Sequence, residues 1–462
     1  MKLRLFTILI FNWLIVSLMF AQVQVWEEPI IIPTWEIDPA ETNPAFPWTF
    51  VNRRMDKQIY PYPYQEILTS NKVDKTYTAC WLENQFIKVL VMPEIGGKLY
   101  GAKDKTNDYN FFYWQPTVKP ALIGMTGAWV SGGIEWNFPT GHRPSTFSPV
   151  SHQLVENADG SKTVWVGETE WVYGMRWIVG ITVHPGRSVI EAKVRLLNPT
   201  SLPHSYYMWA TTATNTNENY QMIYPTRLMT NHGKFEFYQW PVNEGINISW
   251  WKNVPNASSF FAMELGDFFG GYDHGKQAGT VLTGNKHIVI GKKFWTWGTS
   301  PFGRMWDWIL SDGEGPYVEP QAGAYADNQP DYHWLQPGEV KSYSHFFFPV
   351  RDIGAFKQAN VHGALNLEFQ GNLVKIGAYS TSILDPGIVR LTQKGKTIFE
   401  EKTRIDPARP FVHEMKVKGG SENQESITLS LLNQDEVVLV SYTPQILESL
   451  PFPEPAKVYE HP

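Results

Sequence analysis

One aromatic-rich segment, SGGIEWNFPTGHRP at Ser131–Pro144, carries polar side chains at the alternating positions of a β-strand. With a period of two, Glu135 and Asn137 point to one face of the strand and their apolar neighbours to the other. A carboxylate beside an amide, followed by His142 in a Gly-Pro turn, suits the binding of hydroxyl groups or the transfer of protons. Alternatively, the glutamate lies at the rim of a sheet and forms a salt bridge with Arg143.

A second segment, Gly303–Trp334, holds the densest set of polar residues in the chain. The same alternation places Tyr317, Glu319 and Gln321 on one strand face. Asp307 lies between two tryptophans, and such apolar surroundings would raise its pKa by desolvation. A carboxyl group that stays protonated can act as a general acid, and a second, ionised carboxylate as the base. Alternatively, the Asp and Asn residues of this segment bond to backbone groups in turns.

A third segment, Phe268–Gly279, predicts a flexible loop that carries the adjacent pair Asp273 and His274. A surface loop without chemistry is the alternative interpretation. Asp273 with His274, or Asp327 with Asp331, offers oxygen ligands for calcium, but neither cluster supplies enough ligands by itself. We therefore predict no metal and no cofactor.

The common catalytic motifs are missing from the sequence, which has no phosphate-binding loop, His-Glu-x-x-His motif, Gly-x-Ser-x-Gly motif or cysteine pair. The remaining candidates are the polar residues of the three segments and the aromatic rings around them. The catalytic candidates are Glu135, Glu319, Asp307, His142 and His274. The substrate-binding candidates, which offer rings for stacking or polar groups for hydroxyls, are Trp136, Asn137, Arg304, Trp306, Trp308, Tyr317, Gln321 and Asp331.

A sheet must bring these distant segments together. Glu135 and Glu319 each alternate with bulky or apolar neighbours, so burial of those neighbours forces both carboxylates onto the opposite face. A shift of one residue in register would bury both charges in an aromatic core, which is strongly unfavourable. We predict that the strands GGIEWN and YVEPQ are neighbours, with their carboxyl groups about 5–10 Å apart on a concave face.

Composition limits the classes of partner. The 39 Lys and Arg residues against 45 Asp and Glu residues give a net charge of −6, which leaves no basic excess for nucleic acid. With 43% hydrophobic and 18% charged residues, the chain is not intrinsically disordered. The 20 Trp, 21 Tyr and 26 Phe residues suit wide β-sheets or clefts that stack on sugars, and core packing accounts for most of them.

The N-terminus predicts an export signal. Lys2 and Arg4 precede the apolar run Leu5–Phe20, and Ala21 provides a small residue before the cleavage point. The run is shorter than the roughly 20 residues that a membrane-spanning helix needs. We therefore predict a secreted or periplasmic protein that does not span the membrane. Cys80 is the only cysteine, so a large core rather than a disulfide must stabilise the fold.

Strand-like runs bounded by Gly, Pro, Asn and Asp predict an all-β chain. After the signal peptide, residues 1–21, residues 22–75 are predicted to form a lead-in strand and a wrapping segment. Residues 76–352 form a long, aromatic-rich β-domain. Residues 356–445, which lack Trp, predict a small immunoglobulin-like sandwich of seven short strands. Residues 446–462 are typical of a Pro-rich linker.

Five stretches carry a family resemblance: PEIGGKLYGAKDK, GGIEWNFPTGH, FFGGYDHGKQAGT, GPYVEPQAGAYADNQPDYHWLQPGE and FFFPV. Across about residues 40–450, the chain resembles a family of secreted bacterial proteins with a galactose-mutarotase-like β-supersandwich. That family is known as a domain of unknown function and is often followed by tetratricopeptide repeats. Mutarotases use a His acid and, later in the chain, a Glu base. By order, the resemblance implies that Glu319 is the base, preceded by His142, His232 and His274.

The residues and the resemblance together predict a secreted carbohydrate-active protein whose carboxylates act on a glycosidic bond or a sugar hemiacetal. The activity would be glycoside hydrolase-like or sugar epimerase-like, with an oligosaccharide or polysaccharide as ligand. Two alternatives stay open, because a fold does not fix a function. One is a non-catalytic glycan-binding module, which needs no carboxylates with separated pKa values. The other is a scaffold for a cell-envelope complex.

Overall fold

The computed structural model describes residues 22–42, 59–231, 236–263, 266–326, 332–446 and 448–452. The predicted signal peptide lies outside these ranges, and so do most of the predicted linker and the site candidate Asp331. No helix among the described residues is both long and apolar enough to cross a membrane.

Strands dominate the described chain up to residue 351. In chain order they are β1 (Gln24–Ile37), β2 (Leu68–Glu83), β3 (Ile87–Met92), β4 (Lys98–Asp104), β5 (Tyr109–Asn110), β6 (Ala121–Gly124), β7 (Gly127–Trp129), β8 (Ile134–Asn137), β9 (Ser151–Glu156), β10 (Lys162–Thr169), β11 (Arg176–Val183), β12 (Ile190–Leu197), β13 (His204–Tyr206), β14 (Met208–Thr212), β15 (Thr214–Asn215), β16 (Tyr220–Ile223), β17 (Leu228–Asn231), β18 (Phe237–Gln239), β19 (Val242–Asn243), β20 (Ile246–Asn247), β21 (Ser258–Ala262), β22 (Phe268–Asp273), β23 (Ala278–Gly284), β24 (Gly291–Thr296), β25 (Tyr317–Ala324), β26 (His333–Leu335) and β27 (Val340–Arg351). A 3-10 helix, Trp251–Asn253, and an α-helix, α1 (Pro301–Leu310), interrupt them.

Most of these strands form two large antiparallel sheets. Within the described ranges the larger sheet has thirteen strands in the order β1-β2-β3-β4-β8-β14-β25-β24-β21-β17-β18, with β5 beside β4 and β15 beside β25. The smaller sheet has the order β16-β22-β23-β27-β12-β11-β10-β9. The main hydrophobic core contains side chains of both sheets, such as Trp136 and Phe294 of the larger and Val179 and Phe347 of the smaller. The chain is therefore an all-β sandwich, as predicted.

The strands after residue 357 form two further four-stranded sheets. They are β28 (Gln358–Asn360), β29 (Gly363–Gln370), β30 (Leu373–Ser380), β31 (Leu384–Gln393), β32 (Lys396–Ile405), β33 (Phe411–Lys416), β34 (Ile427–Leu432) and β35 (Val438–Tyr442), with a 3-10 helix at Ser421–Ser426. The sheet orders are β28-β29-β30-β33 and β32-β31-β34-β35. Aliphatic side chains such as Leu365, Val389 and Leu429 fill a separate core. The sequence predicted seven strands in this region. The described residues form eight, one of which is the short strand β28.

Helix α1 departs from the sequence prediction, which placed turns and strands in this region. The Ser300 hydroxyl accepts a hydrogen bond from the Gly303 N–H at 3.5 Å, and proline occupies the first turn. Trp306 stacks on Trp297 with ring centroids 4.3 Å apart, which fixes the helix against the larger sheet. The Ser-Pro start of the helix is visible in the sequence, but the search for period-two alternation missed it.

Candidate functional site

The two central carboxylates lie on two strands of the larger sheet, and the pairing of a third strand relates their positions. Glu135 of β8 is paired with Thr211 of β14, and Trp209 of β14 is paired with Gly323 of β25. Directly paired residues share a sheet face, and so do residues an even number apart on one strand. Glu319 of β25 therefore lies on the same face as Glu135. We call this surface, opposite the main core, the site face.

The predicted adjacency of the two carboxylate strands is wrong, because β14 lies between β8 and β25. With a strand spacing of about 4.8 Å, the backbones of β8 and β25 are about 10 Å apart across the sheet. Glu135 and Glu319 therefore lie on strands that are not hydrogen-bonded to each other. The prediction that both leave the core is confirmed, since their neighbours Ile134 and Val318 are buried in it.

Trp136 was predicted to stack on a substrate, and the structure corrects this. Its side chain is completely buried in the main core between the two large sheets. The reason is the same alternation that directs Glu135 to the site face, since consecutive residues of a strand point to opposite faces. Trp136 therefore supports the site face from behind and cannot contact a ligand on it.

Glu135 forms a closely bonded pair with His142. The His142 Nδ1 lies 2.7 Å from Glu135 Oε2, which also accepts a hydrogen bond from Trp129 Nε1 at 3.0 Å. Glu135 Oε1 accepts a bond from the Thr146 hydroxyl at 2.5 Å. Glu135 itself is buried, whereas 25% of the His142 side chain is exposed. The histidine is thus the member of the pair that a solute can reach.

The free ring nitrogen of His142 is available for chemistry. Within the described part of the chain, His142 Nε2 has no hydrogen-bond partner, while Nδ1 is held by Glu135. The edge of the imidazole packs against Trp129 with ring centroids 5.3 Å apart. Its orientation is therefore fixed by one hydrogen bond and one aromatic contact.

Glu319 lies in a different environment on the same face. Its Oε2 accepts a hydrogen bond from Gln321 Nε2 at 2.6 Å. Its cross-strand partner on β24 is Trp295, and Gln321 is paired with Lys293. The Glu319 carboxylate is buried. Burial of the Tyr317 hydroxyl raises the pKa of that hydroxyl, and the negative charge of Glu319 raises it further. Glu319, Gln321 and Tyr317 therefore share one face, as the alternation in YVEPQ predicted.

The two carboxylates differ in their affinity for protons. Burial by itself would raise the pKa of Glu135, but the His142 charge and hydrogen bond, together with Lys98 and Thr146, outweigh burial and hold that pKa well below its usual range. Burial raises the pKa of Glu319 above its usual value, and the charge of His142 opposes this only in part. Two carboxylates that both interact with one histidine are thus shifted in opposite directions.

Lys98 supplies a positive charge that interacts with both Glu135 and Glu319. It is buried, and its Nζ donates hydrogen bonds to the carbonyl oxygens of Val130 and Gly132, both at 2.7 Å. Burial lowers the pKa of Lys98 to about 8, although Glu135 and Glu319 both favour its charged form. A positive charge in this position stabilises the ionised form of Glu135.

Helix α1 contributes a wall rather than a reacting group. Asp307 forms an ion pair with Arg304 at 3.5 Å, and Arg304 lies over the ring of Trp251 at 4.8 Å. Burial raises the pKa of Asp307, which confirms the predicted direction, while Arg304 opposes the shift. Trp306 packs inward, whereas Trp308 is 69% exposed. None of these contacts joins Asp307 to Glu135 or Glu319.

His274 lies away from the site face. It follows β22 of the smaller sheet, where its Nε2 is 3.0 Å from Gln221 Oε1 and its ring packs on Trp250. It lines a cavity of about 490 Å³ together with residues of the sheet β28-β29-β30-β33, including Glu368 and His413. A catalytic role beside Glu135 is therefore wrong for His274.

Asn137 is on the site face, where its amide donates a hydrogen bond to the Thr211 hydroxyl at 2.9 Å.

Several residues of the site were missed by the sequence analysis. They are Lys98, Trp129, Thr146, Lys293, Trp295 and Trp297. The segment GKKFWTWG contains a usable signal, because Lys293, Trp295 and Trp297 occupy alternate positions in a strand-like run. The partners of Glu135 carry no such local signal. Among the described residues, the group arranged to hold a metal ion lies elsewhere, at Glu27, Cys80 and His152.

Two family models match the chain. Residues 55–350, more than half of the sequence, match a domain of unknown function, DUF5107. Residues 358–442 match the second domain of YphG-like proteins. The resemblance inferred from the sequence motifs is confirmed by the first match.

One similar solved structure shows the fold of this chain. A TPR-domain containing protein from Parabacteroides distasonis is 24% identical with a TM-score of 0.66, over 74% of this chain and 58% of its own. The chain thus spans less than two thirds of that protein. Two galactose mutarotase-like proteins are also similar. The protein from Clostridium acetobutylicum is 11% identical with a TM-score of 0.41, over 60% of this chain and 96% of its own. The protein from Lactobacillus casei is 10% identical with a TM-score of 0.41, over 59% of this chain and 100% of its own.

Proposed function

The chain belongs to the DUF5107 family, and we propose that it binds a sugar on the site face and transfers protons at the anomeric centre of that sugar. The observation that carries the proposal is that Glu135 and Glu319 share one sheet face and both interact with His142, whose Nδ1 lies 2.7 Å from Glu135 Oε2, while the pKa values of the two carboxylates are shifted in opposite directions. A hemiacetal ring opens when one group protonates the ring oxygen while another removes the proton of the anomeric hydroxyl. Groups with separated proton affinities are suited to these two roles.

Glu319, His142 and Glu135 have different roles in this reaction. Glu319, whose raised pKa makes it the stronger base of the two carboxylates, removes the proton from the anomeric hydroxyl. His142 donates a proton to the ring oxygen through Nε2. Glu135 stays ionised, holds Nδ1 at 2.7 Å and stabilises the charged imidazole, so it is a positioning residue. On ring closure the two protons return by the reverse steps.

The hydrogen bonds of Glu135 favour the hemiacetal over the glycosidic bond. A glycosidase of the common type needs two carboxyl groups that both face the substrate. Both oxygens of Glu135 already accept bonds from His142, Trp129 and Thr146, and the group is buried. Glu135 is therefore poorly placed to attack a sugar or to activate water, whereas His142 and Glu319 remain for proton transfer.

The rest of the site face suits a polyhydroxylated ligand. Tyr317 and Gln321 offer polar groups beside Glu319, and Trp295 is the half-buried cross-strand neighbour of that carboxylate. Trp297 packs edge-on against Trp295 at 5.1 Å and continues the aromatic surface. Sugars combine hydroxyl groups with an apolar C–H face, and this mixture of amide, phenol and indole groups matches both. We further propose that the chain is exported, on the basis of its basic and apolar N-terminus.

Activity of the purified chain on two panels tests the proposal. One panel contains reducing aldoses, with exchange between anomers followed by NMR, and the other contains aryl glycosides, with hydrolysis followed by absorbance. We expect accelerated anomer exchange on at least one aldose and its loss in Glu319→Gln and His142→Gln. Glu191→Gln, in a similar His–Glu pair with His184 on the smaller sheet, is the matched control and should keep the full rate. Hydrolysis of a glycoside without anomer exchange would contradict the assignment.

A second candidate function is non-catalytic glycan binding, and the exposed aromatic residues of α1 favour it. Phe302 and Trp308 are 56% and 69% exposed on this helix, whose inner residue Trp306 packs beside the site. Exposed rings of this kind can stack on the units of a longer glycan. Binding of an oligosaccharide without turnover, weakened by Trp308→Ala and unchanged by Glu319→Gln, would support this function instead.

A further inference from the structure

Three potential metal ligands meet where the edges of the two large sheets come together. Glu27 of β1 is directly paired with Cys80 of β2 in the larger sheet. His152 lies on β9, the edge strand of the smaller sheet. The carboxylate oxygen, the sulfur and the ring nitrogen all lie within 4.8 Å of one another. None of these residues belongs to the proposed sugar site.

The distances between these atoms are close to those of a coordination sphere. His152 Nε2 lies 2.8 Å from Glu27 Oε2, and Cys80 Sγ lies 3.9 Å from the same oxygen. In a tetrahedral zinc site with bonds of about 2.0–2.3 Å, neighbouring ligand atoms are about 3.3–3.7 Å apart. Small side-chain rotations would convert the observed arrangement into that geometry.

We propose that Glu27, Cys80 and His152 bind a zinc ion, with a water molecule in the fourth position. As the Zn–S bond forms, the thiol proton of Cys80 leaves to solvent. The Nε2 atom of His152 exchanges its contact with Glu27 for a bond to the metal. One thiolate, one carboxylate and one neutral imidazole then balance the charge of Zn²⁺, which suits a site with a buried sulfur.

The burial of the three ligands fits an ion that enters from solvent. Cys80 is completely buried, whereas the side chains of Glu27 and His152 are 47% and 27% exposed. The sulfur is therefore at the base of the site and the other two ligands are at its opening. Because β9 belongs to one sheet and β1 and β2 to the other, the ion would join the two sheet edges. Metal binding should therefore raise the unfolding temperature.

The alternative interpretation is an ordinary His–Glu pair beside an unrelated buried thiol. The chain contains a suitable control for it, because His184 Nε2 lies 3.0 Å from Glu191 Oε2 without a cysteine nearby. A metal that needs only a His–Glu pair would bind at both places. A metal that needs the sulfur would bind only at Cys80.

The proposal is tested by metal binding to the chain without its predicted signal peptide. The protein is produced without a histidine tag and is freed of metal with a chelator. Titration with Zn²⁺ should raise the melting temperature, and Co²⁺ should give the near-ultraviolet absorption of a cobalt–thiolate bond. Cys80→Ala should lose that absorption. His152→Gln should weaken Zn²⁺ binding by more than about tenfold, and His184→Gln should leave it unchanged.

Two results would overturn the zinc site. One is a wild-type chain whose melting temperature and Co²⁺ spectrum do not change on addition of the metals. The other is binding that His152→Gln and His184→Gln weaken equally. If Cys80→Ala does not fold, the exposed His152 variant and the wild-type Co²⁺ spectrum still decide between the two interpretations. Anomer exchange is not part of this test, so its outcome is independent of the proposed sugar chemistry.

Discussion

Replacing Glu135 with Gln preserves the size of a buried side chain and removes its charge. The carboxylate accepts hydrogen bonds from His142, Trp129 and Thr146, and Lys98 favours its ionised form. Hydrogen bonds to a charged group contribute about 1.5–3 kcal/mol each, and the amide keeps one acceptor oxygen while it places an NH₂ group against the remaining donors. We expect Glu135→Gln to lower the free energy of unfolding by about 2–4 kcal/mol at pH 7.

The effect of this substitution should depend on pH in a defined direction. His142 and Lys98 hold the pKa of Glu135 in the folded chain below the ordinary glutamate value of 4.5. The charge therefore stabilises the fold above that pH, and the stabilisation is lost as the pH falls through the folded-state pKa. The difference between the wild type and Glu135→Gln should be fully present near pH 7 and should decrease as the pH falls below about 4 towards the folded-state pKa.

Urea unfolding followed by tryptophan fluorescence measures this difference. The sequence has no Trp after Trp334, so the signal reports on the large sandwich and not on the last two sheets. Glu191→Gln serves as the reference, and its effect should be smaller because 14% of the Glu191 side chain is exposed, against 2% of the Glu135 side chain. A difference for Glu135→Gln that stays constant or grows as the pH falls would refute the assignment of an ionised, stabilising Glu135.

Two further predictions concern Trp136 and Glu319. Trp136→Ala should lower the free energy of unfolding by about 3–5 kcal/mol in the same urea assay, because it leaves a cavity in the main core. Trp308→Ala, at an exposed position, should change it by less than about 0.5 kcal/mol, and equal effects would contradict the core placement. Because Glu319 must be ionised to act as a base and its pKa is raised, anomer exchange should decline with falling pH at a midpoint above the ordinary value of 4.5. A midpoint below 4.5 would argue against Glu319 as the base.

The alternation of side chains in single strands was enough to predict which face Glu135 and Glu319 occupy. In IEWN and YVEPQ, bulky or apolar residues alternate with polar ones, and the structure buries the former in the core and places Glu135 and Glu319 on the opposite face. This prediction succeeds because the period of a strand is a local property of the backbone. A one-residue error would have put two charges into the core.

The order of strands and the contacts between distant segments could not be predicted in the same way. β14 separates the two carboxylate strands, and no local pattern in either strand specifies that insertion. The same limit applies to Trp129 and Thr146, which reach Glu135 from a separate strand and a loop. Helix α1 is a different case, because Ser300 and Pro301 are a recognisable helix start. The element that carries Asp307 could thus have been recognised from the sequence.

The most direct test of the proposed chemistry is the rate of anomer exchange, measured by saturation-transfer NMR on the wild type, His142→Gln, Glu319→Gln and the double variant. Residues that act together in one proton-transfer step are not additive. We predict that each single variant lowers the rate by about 10²–10⁴-fold and that the double variant is no slower than the slower single one. Wild-type exchange on a responsive aldose that both single variants retain in full would contradict the claim that His142 and Glu319 act on the anomeric centre.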